Sequence, residues 1–159
     1  MNTPTIKGPD HHDFHDSSLL DFIVAPGLDR VTIIVSTPDE NAVEWLWLIE
    51  LDGVLRLEYE NLGLHSVTNK ETPVEIYDIY NHYFSQERTR WVKRFRLLGE
   101  SEKDAAGVFH IVLASSSVRG WGKNEGLEGI NIICRQVQIK AAPDKYKGME
   151  FRRPRIDST

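Results

Sequence analysis

Val43-Glu-Trp-Leu-Trp-Leu-Ile-Glu-Leu-Asp-Gly-Val-Leu-Arg-Leu-Glu-Tyr-Glu60 decides the fold class. Its period is two, the period of a strand. Val43, Trp45, Trp47, Ile49 and Leu51 share one face. Leu46 and Leu48 sit between Glu44 and Glu50 on the other, so a central strand covered on both sides is expected over 43–51. After Asp52-Gly53 the alternation resumes, with Leu55, Leu57 and Tyr59 against Arg56, Glu58 and Glu60. Two alternating runs joined by Asp-Gly predict a β-hairpin closed by a type I′ turn.

Outward from this stretch the same period recurs. Leu19–Val24 and Val31–Ser36 are β-rich runs separated by the turn signal Ala25-Pro26-Gly27-Leu28-Asp29. In Val74–Phe84, Val74, Ile76, Tyr80 and Phe84 suit a strand. Ile76, Tyr80 and Phe84 also lie four apart and suit a helix. The aromatic content favours the strand. Trp91–Leu98 is expected as a strand with Trp91, Lys93, Phe95 and Leu97 on one face and Arg94 and Arg96 on the other. Gly99–Gly107 reads as a polar loop, Val108–Ala114 as a buried strand, and Ser115–Gly129 as a glycine-rich loop around Trp121. Ile130–Ala141 reads as the final strand. The expected fold is therefore mainly β, an antiparallel sheet, sandwich or partly open barrel with room for one short helix. An α+β fold is the alternative. The organisation expected is an N-terminal arm over 1–18, one β-rich domain over 19–141, and a basic, loosely ordered tail over 142–159.

With 159 residues the chain fits one domain. A single cysteine, Cys134, excludes an internal disulfide and favours a reducing compartment. The first ten residues do not pattern as a secretory signal, and no apolar run approaches the ~20 residues that span a bilayer. A cytoplasmic protein of bacterial style is expected. Residues 1–87 hold 16 acidic and four basic side chains, and residues 88–159 hold eight and 15. The split, −12 against +7, suggests a charged partner unless the fold interleaves the two parts.

Three segments could carry chemistry. In His11-His12-Asp13-Phe14-His15-Asp16, an extended chain would point His11, Asp13 and His15 one way, as three zinc ligands. No second His or Cys cluster follows, and the Glu of a His-Glu-x-x-His motif is replaced by His12. A capping or turn segment is the plainer reading, and no cofactor other than this zinc is implied. In the second segment, Arg88, Arg90, Lys93, Arg94 and Arg96 interleave with Trp91 and Phe95, a pattern suited to phosphates and bases. The overall acidity argues against nucleic acid, and a strand with a solvated cationic face explains the same pattern. Third, Ser117-Val-Arg-Gly-Trp-Gly-Lys-Asn124 fails as a P-loop at both ends, so a contact loop presenting Trp121 is expected instead. No nucleophile elbow is present. Cys134, between Ile133 and Arg135, reads as a small core residue, and His110, between Phe109 and Ile111, as a satisfied core histidine. The absence of a catalytic motif argues against an enzyme.

The His-Asp stretch His12-Asp13-Phe14-His15-Asp16-Ser17, the two short strands, the aromatic strand with its Asp-Gly-Val and the final Cys-x-x-Val-x-Ile strand together resemble small uncharacterised bacterial β-rich families. Some small acidic proteins of this size are immunity proteins of polymorphic-toxin systems. The resemblance spans roughly residues 11–140 and assigns no functional residue. It implies a non-enzymatic domain that binds a protein partner, such as a toxin. Acidic residues would steer association and aromatics would anchor it. The candidates are Asp39, Glu40, Glu58, Glu60 and Trp121.

Overall fold

The computed structural model describes residues 2–9, 11, 13–59, 74–115, 130–149 and 155–156. Among the described residues nine strands follow in chain order: β1 (Ser17–Val24), β2 (Arg30–Pro38), β3 (Glu44–Asp52), β4 (Arg56–Tyr59), β5 (Val74–Asn81), β6 (Phe109–Ser115), β7 (Ile130–Cys134), β8 (Gln136–Ala141) and β9 (Arg155–Ile156). Two helices, α1 (Gln86–Leu97) and α2 (Glu102–Ala105), lie between β5 and β6. The fold is mainly β. Its hydrogen-bonded order is β4-β7-β6-β5-β1-β2-β3-β8, with β9 parallel to β1. All pairings except β1–β9 are antiparallel. The path divides into two four-stranded sheets, joined through three residue pairs between β1 and β5. No closed barrel forms among the described residues.

The two sheets bury one common core. Leu19, Phe22, Val31, Ile33, Val35, Ile49 and Leu51 come from one, and Ile79, Ile111, Leu113, Ile130, Ile132 and Cys134 from the other. A register shift between Leu19 and Asp21 makes this possible in β1. The extra residue resets the alternation, so Leu19 and Phe22, three apart, both face the core. Leu20 faces outward, where it packs with Ile34, Tyr146 and Met149. The segment Ala142–Met149 thus lies against the outer face of the β1–β3 sheet. Phe14, ahead of β1, is fully buried in the common core.

Two expectations about strand connection are corrected. β3 and β4 do not form a hairpin: β3 pairs with β2 and β8, and β4 pairs with β7. Gly53 has the expected positive φ of 63°, but Asp52 is not among the residues with positive φ, so the turn is not type I′. Instead the chain turns a corner from one sheet to the other. Arg135 turns the same corner beside it, with its N–H donating to the Asp52 carbonyl (3.0 Å). Its Cβ lies 2.9 Å from where a Gly53 Cβ would stand, so only glycine fits there. For the same reason Ile130–Ala141 is two strands. β7 and β8 belong to different sheets, and Arg135 joins them.

The expected strand over 91–98 is also corrected: residues 86–97 are helix α1. The segment 74–81 is the strand, as its aromatics suggested. Ser85 caps α1 by accepting from Arg88 N–H (3.0 Å), and Glu87 sits in the first turn, where the helix dipole favours an acid. Gly99, at φ 91°, ends the helix, with Gly99 and Glu100 N–H bonding back to Arg96 and Phe95 carbonyls. Trp91, Val92 and Phe95 share the helix face that packs on Val108, Leu55 and Ile133. The polar stretch after Gly99 holds α2, capped by Ser101 (Oγ to Asp104 N, 3.1 Å).

Candidate functional site

The sequence-based metal ligands are not drawn together. His11 Nε2 lies 3.1 Å from Asp13 Oδ2, while His15 Nε2 lies 3.5 Å from Asp16 Oδ2. Asp13 is occupied by the chain itself, accepting from Thr5 N–H (2.9 Å). Burial works against ionisation of its carboxyl, but the Thr5 N–H and the His11 ring hold it below its ordinary range. Among the described residues no three His, Cys, Asp or Glu side chains converge to hold a metal. His12 lies outside the described residues.

The basic segment lies on α1, with Arg90, Lys93, Arg94 and Arg96 exposed and Arg88 buried. Arg88 turns inward and is 8 % exposed. Its guanidinium donates to the carbonyls of Val108 (2.7 Å), Ala106 (2.8 Å) and Tyr83 (3.3 Å). Arg90 pairs with Glu87, Arg96 with Glu102 (3.0 Å), and Arg94 lies over the Trp91 ring. Lys93 is exposed.

The proposed acidic contacts separate into two places. Asp39 and Glu40 lie on the β2–β3 turn, and Glu58 lies on β4 in the other sheet. Glu60 and Trp121 lie outside the described residues. The Asp39 carboxylate accepts from Trp45 Nε1 (2.9 Å) and from the Asn41 (2.8 Å) and Val43 (3.0 Å) N–H groups. The indole bond, then the backbone bonds, hold it below the usual carboxylate range. This loop therefore fixes Trp45, which is 37 % exposed beside Val43. Below the turn lies an open groove of about 680 Å³. Trp45, Val43, Leu46, Leu20 and Met149 give it an apolar lining, with Glu44, Asp144 and Lys147 also on its walls.

A second concavity, of about 270 Å³, lies between α1 and the outer face of β4, β7 and β6. Strand alternation brings its groups together. Arg56 and Glu58 share a face of β4, opposite Ile133 and Asn131 of β7, and Ile133 is in turn opposite His110 of β6. Glu87 and Arg90 descend from the first turns of α1. His110 is 4 % exposed. Its Nδ1 lies 2.6 Å from Ser85 Oγ and its Nε2 2.7 Å from Asn131 Oδ1. The His82 ring stacks on it at 5.4 Å between centroids.

Burial lowers the basicity of His110, against the Asn131 bond that favours its charged form. A neutral ring with hydrogen on Nε2 satisfies the chain: Nε2–H donates to Asn131, Ser85 O–H donates to Nδ1, and Ser85 Oγ accepts from Arg88 N–H. The trio has the makings of a nucleophile, base and orienting group. Ser85, however, is spent on capping the helix and does not line the cavity. Cys134 offers no alternative nucleophile, since burial pushes its thiol up to about 12.

The neutral His110 predicts a pH dependence. The unfolded chain takes up a proton near the ordinary histidine value of ~6.5, while the buried ring resists it. Its stabilising contribution is thus complete above that value and is lost as pH falls toward the lower folded value. Urea midpoints at about pH 7.5 and 5.5 test this. The drop should be larger in the native protein than in His110→Gln, and equal drops would reject the assignment.

No family model matches the sequence, and no curated protein or solved structure matches it significantly.

Proposed function

We propose that this chain is a non-enzymatic protein-binding domain, with the neutralisation of a basic toxin, as an immunity protein, its role. The observation that carries the reading is the apolar groove beneath a fixed, half-exposed Trp45 with acidic groups beside it. A tryptophan held by Asp39 before binding loses little freedom on association, which is what a binding anchor requires. Glu40 and Glu44 are exposed at the same turn and would steer a cationic partner.

Affinity capture from the native host tests the reading, with native and Trp45→Ala proteins as paired baits. The expected result is a basic protein held by the native bait and bound at least ~30-fold more weakly by Trp45→Ala, the loss of a hot spot of about 2 kcal/mol. Glu40→Lys with Glu44→Lys should slow association and flatten its salt dependence. Equal retention by the Trp45→Ala bait would sink the docking face. The immunity role further requires that the captured protein arrest growth when expressed alone and that co-expression of this chain restore it.

A further inference from the structure

The path of strands ends at β8, which pairs with β3 and with no other strand among the described residues. The register fixes which of its main-chain groups point outward. Ala142 N–H donates to the Leu46 carbonyl (3.0 Å), in step with the pairing of Lys140 with Leu48 and of Gln138 with Glu50. On an antiparallel ladder, pairs that exchange bonds alternate with pairs that do not. The even-numbered residues of β8 therefore bond to β3. Val137, Ile139 and Ala141 turn both N–H and C=O away from it, where no main-chain partner meets them among the described residues.

Sheet edges are commonly guarded by bulges, prolines or clustered charges, because unpaired main-chain groups invite a further strand. Here the register runs without a shift from Gln136 to Ala141, Pro143 comes only after the strand, and Lys140 is the one charged residue on it. The two faces differ. Val137 and Ile139 are half-buried against the common core, whereas Gln136, Gln138 and Lys140 are exposed. A strand laid along this edge fits when apolar side chains meet Val137 and Ile139 and uncharged polar ones lie between them. β8 itself has that pattern. Paired antiparallel with its own copy about a two-fold axis, it sets odd-numbered residues against odd ones, so that their free main-chain groups exchange bonds. In the two registers of longest overlap, Val137 and Ile139 meet Val137, Ile139 or Ala141 of the second copy. Both registers place Lys140 opposite a glutamine, so the edge's one charge does not meet itself.

We propose that two copies of this chain associate through β8, joining their β1–β2–β3–β8 sheets edge to edge. About four to six main-chain bonds and a few side chains make a contact well below the ~1,600 Å² of a standard interface, so the dimer is weak and reversible. Sedimentation equilibrium of the full chain between about 5 and 500 μM tests it, with an expected dissociation constant of about 10–300 μM. Val137→Pro removes an N–H that β3 does not use, so the monomer should stay folded while the dimer weakens at least ~30-fold. Amide exchange followed by nuclear magnetic resonance reads the same contact in the native chain. The Val137 and Ile139 amides should exchange at least about twofold more slowly at the high concentration than at the low one. The Gln138 and Lys140 amides, bonded to β3, should be slow at both. A monomer throughout the range overturns the proposal. So does a dimer that folded Val137→Pro leaves at native strength, or Val137 and Ile139 amides whose exchange ignores concentration.

Discussion

Replacing Arg88 by methionine should lower the unfolding free energy by about 3–5 kcal/mol, the larger part of it from carbonyls left without a donor. The side chain is 8 % exposed and ties together three pieces of backbone: Tyr83 before α1, Ala106 after α2, and Val108 entering β6. Two of the three bonds are shorter than 3 Å, and the guanidinium also lies 4.1 Å from the centre of the Tyr83 ring. Methionine fills much of the volume but donates nothing. Lysine should recover less than half of the loss, because one ammonium cannot reproduce a planar fork aimed at separate carbonyls. For a domain of this size the methionine change should lower Tm by about 10 °C. Urea unfolding of Arg88→Met, Arg88→Lys and Arg90→Met gives the comparison. Arg90 is exposed, and its loss should stay near or below ~1 kcal/mol. A loss at Arg88 no larger than that at Arg90 would show that the inward-turned guanidinium does not hold α1 to the sheet.

The same residue shows how far the sequence could be read. Alternation made residues 43–60 β and the class mainly β, while the buried strand over 108–114 was read from its continuous apolar run and the strand at 74–81 from its aromatics. Alternation failed where a second period fitted equally well. Trp91 and Phe95 are two strand steps apart and also one helical turn apart. The strand reading placed Lys93 on an apolar face, whereas Ser85 before the segment and Gly99 after it are helix-end signals. The hairpin failed for a different reason. Asp52-Gly53 does turn the chain, but whether a turn closes a hairpin or carries a strand round a corner depends on what pairs next to it. That partner, Arg135, lies some eighty residues further on.

The candidate sites were less legible still. Asp39 and Glu40 were selected as acidic contacts, and what the fold adds is that Asp39 fixes Trp45. Nothing near His110 in sequence announces Asn131, Ser85 or Glu58, because sheet register places Asn131 and Glu58 and the N-cap of α1 places Ser85. Part of the charge split is taken up by local ion pairs. Arg30 pairs with Asp52, Arg96 with Glu102, and Arg135 with Glu100, each within its own part of the chain. The sheet meanwhile sets β8 beside β3 and β4 beside β7.

Phe14→Ala should be about as damaging, costing about 3–5 kcal/mol, the range for deleting a buried phenylalanine from a core. In sequence Phe14 is one aromatic among histidines and aspartates, which is why the segment reads as an arm with ligands. In the fold it is fully buried with Leu19, Phe22 and Ile49, and the segment is tied down around it. The Phe14 carbonyl accepts from Ser17 Oγ (2.6 Å), and that hydroxyl also meets Thr37 Oγ1 of β2 (2.8 Å). Asp16 takes a positive φ of 57°, which turns the chain from the buried ring into β1. The polar neighbours are then the solvent side of an anchor. His11→Ala and His15→Ala should each change stability by less than ~0.5 kcal/mol. Urea unfolding of the three variants, repeated with added zinc, separates the two readings of the segment. An anchor gives a large loss at Phe14, small losses at both histidines and no response to zinc. A ligand set gives a zinc-dependent midpoint that either histidine variant abolishes, because metal bound only by the folded chain stabilises it.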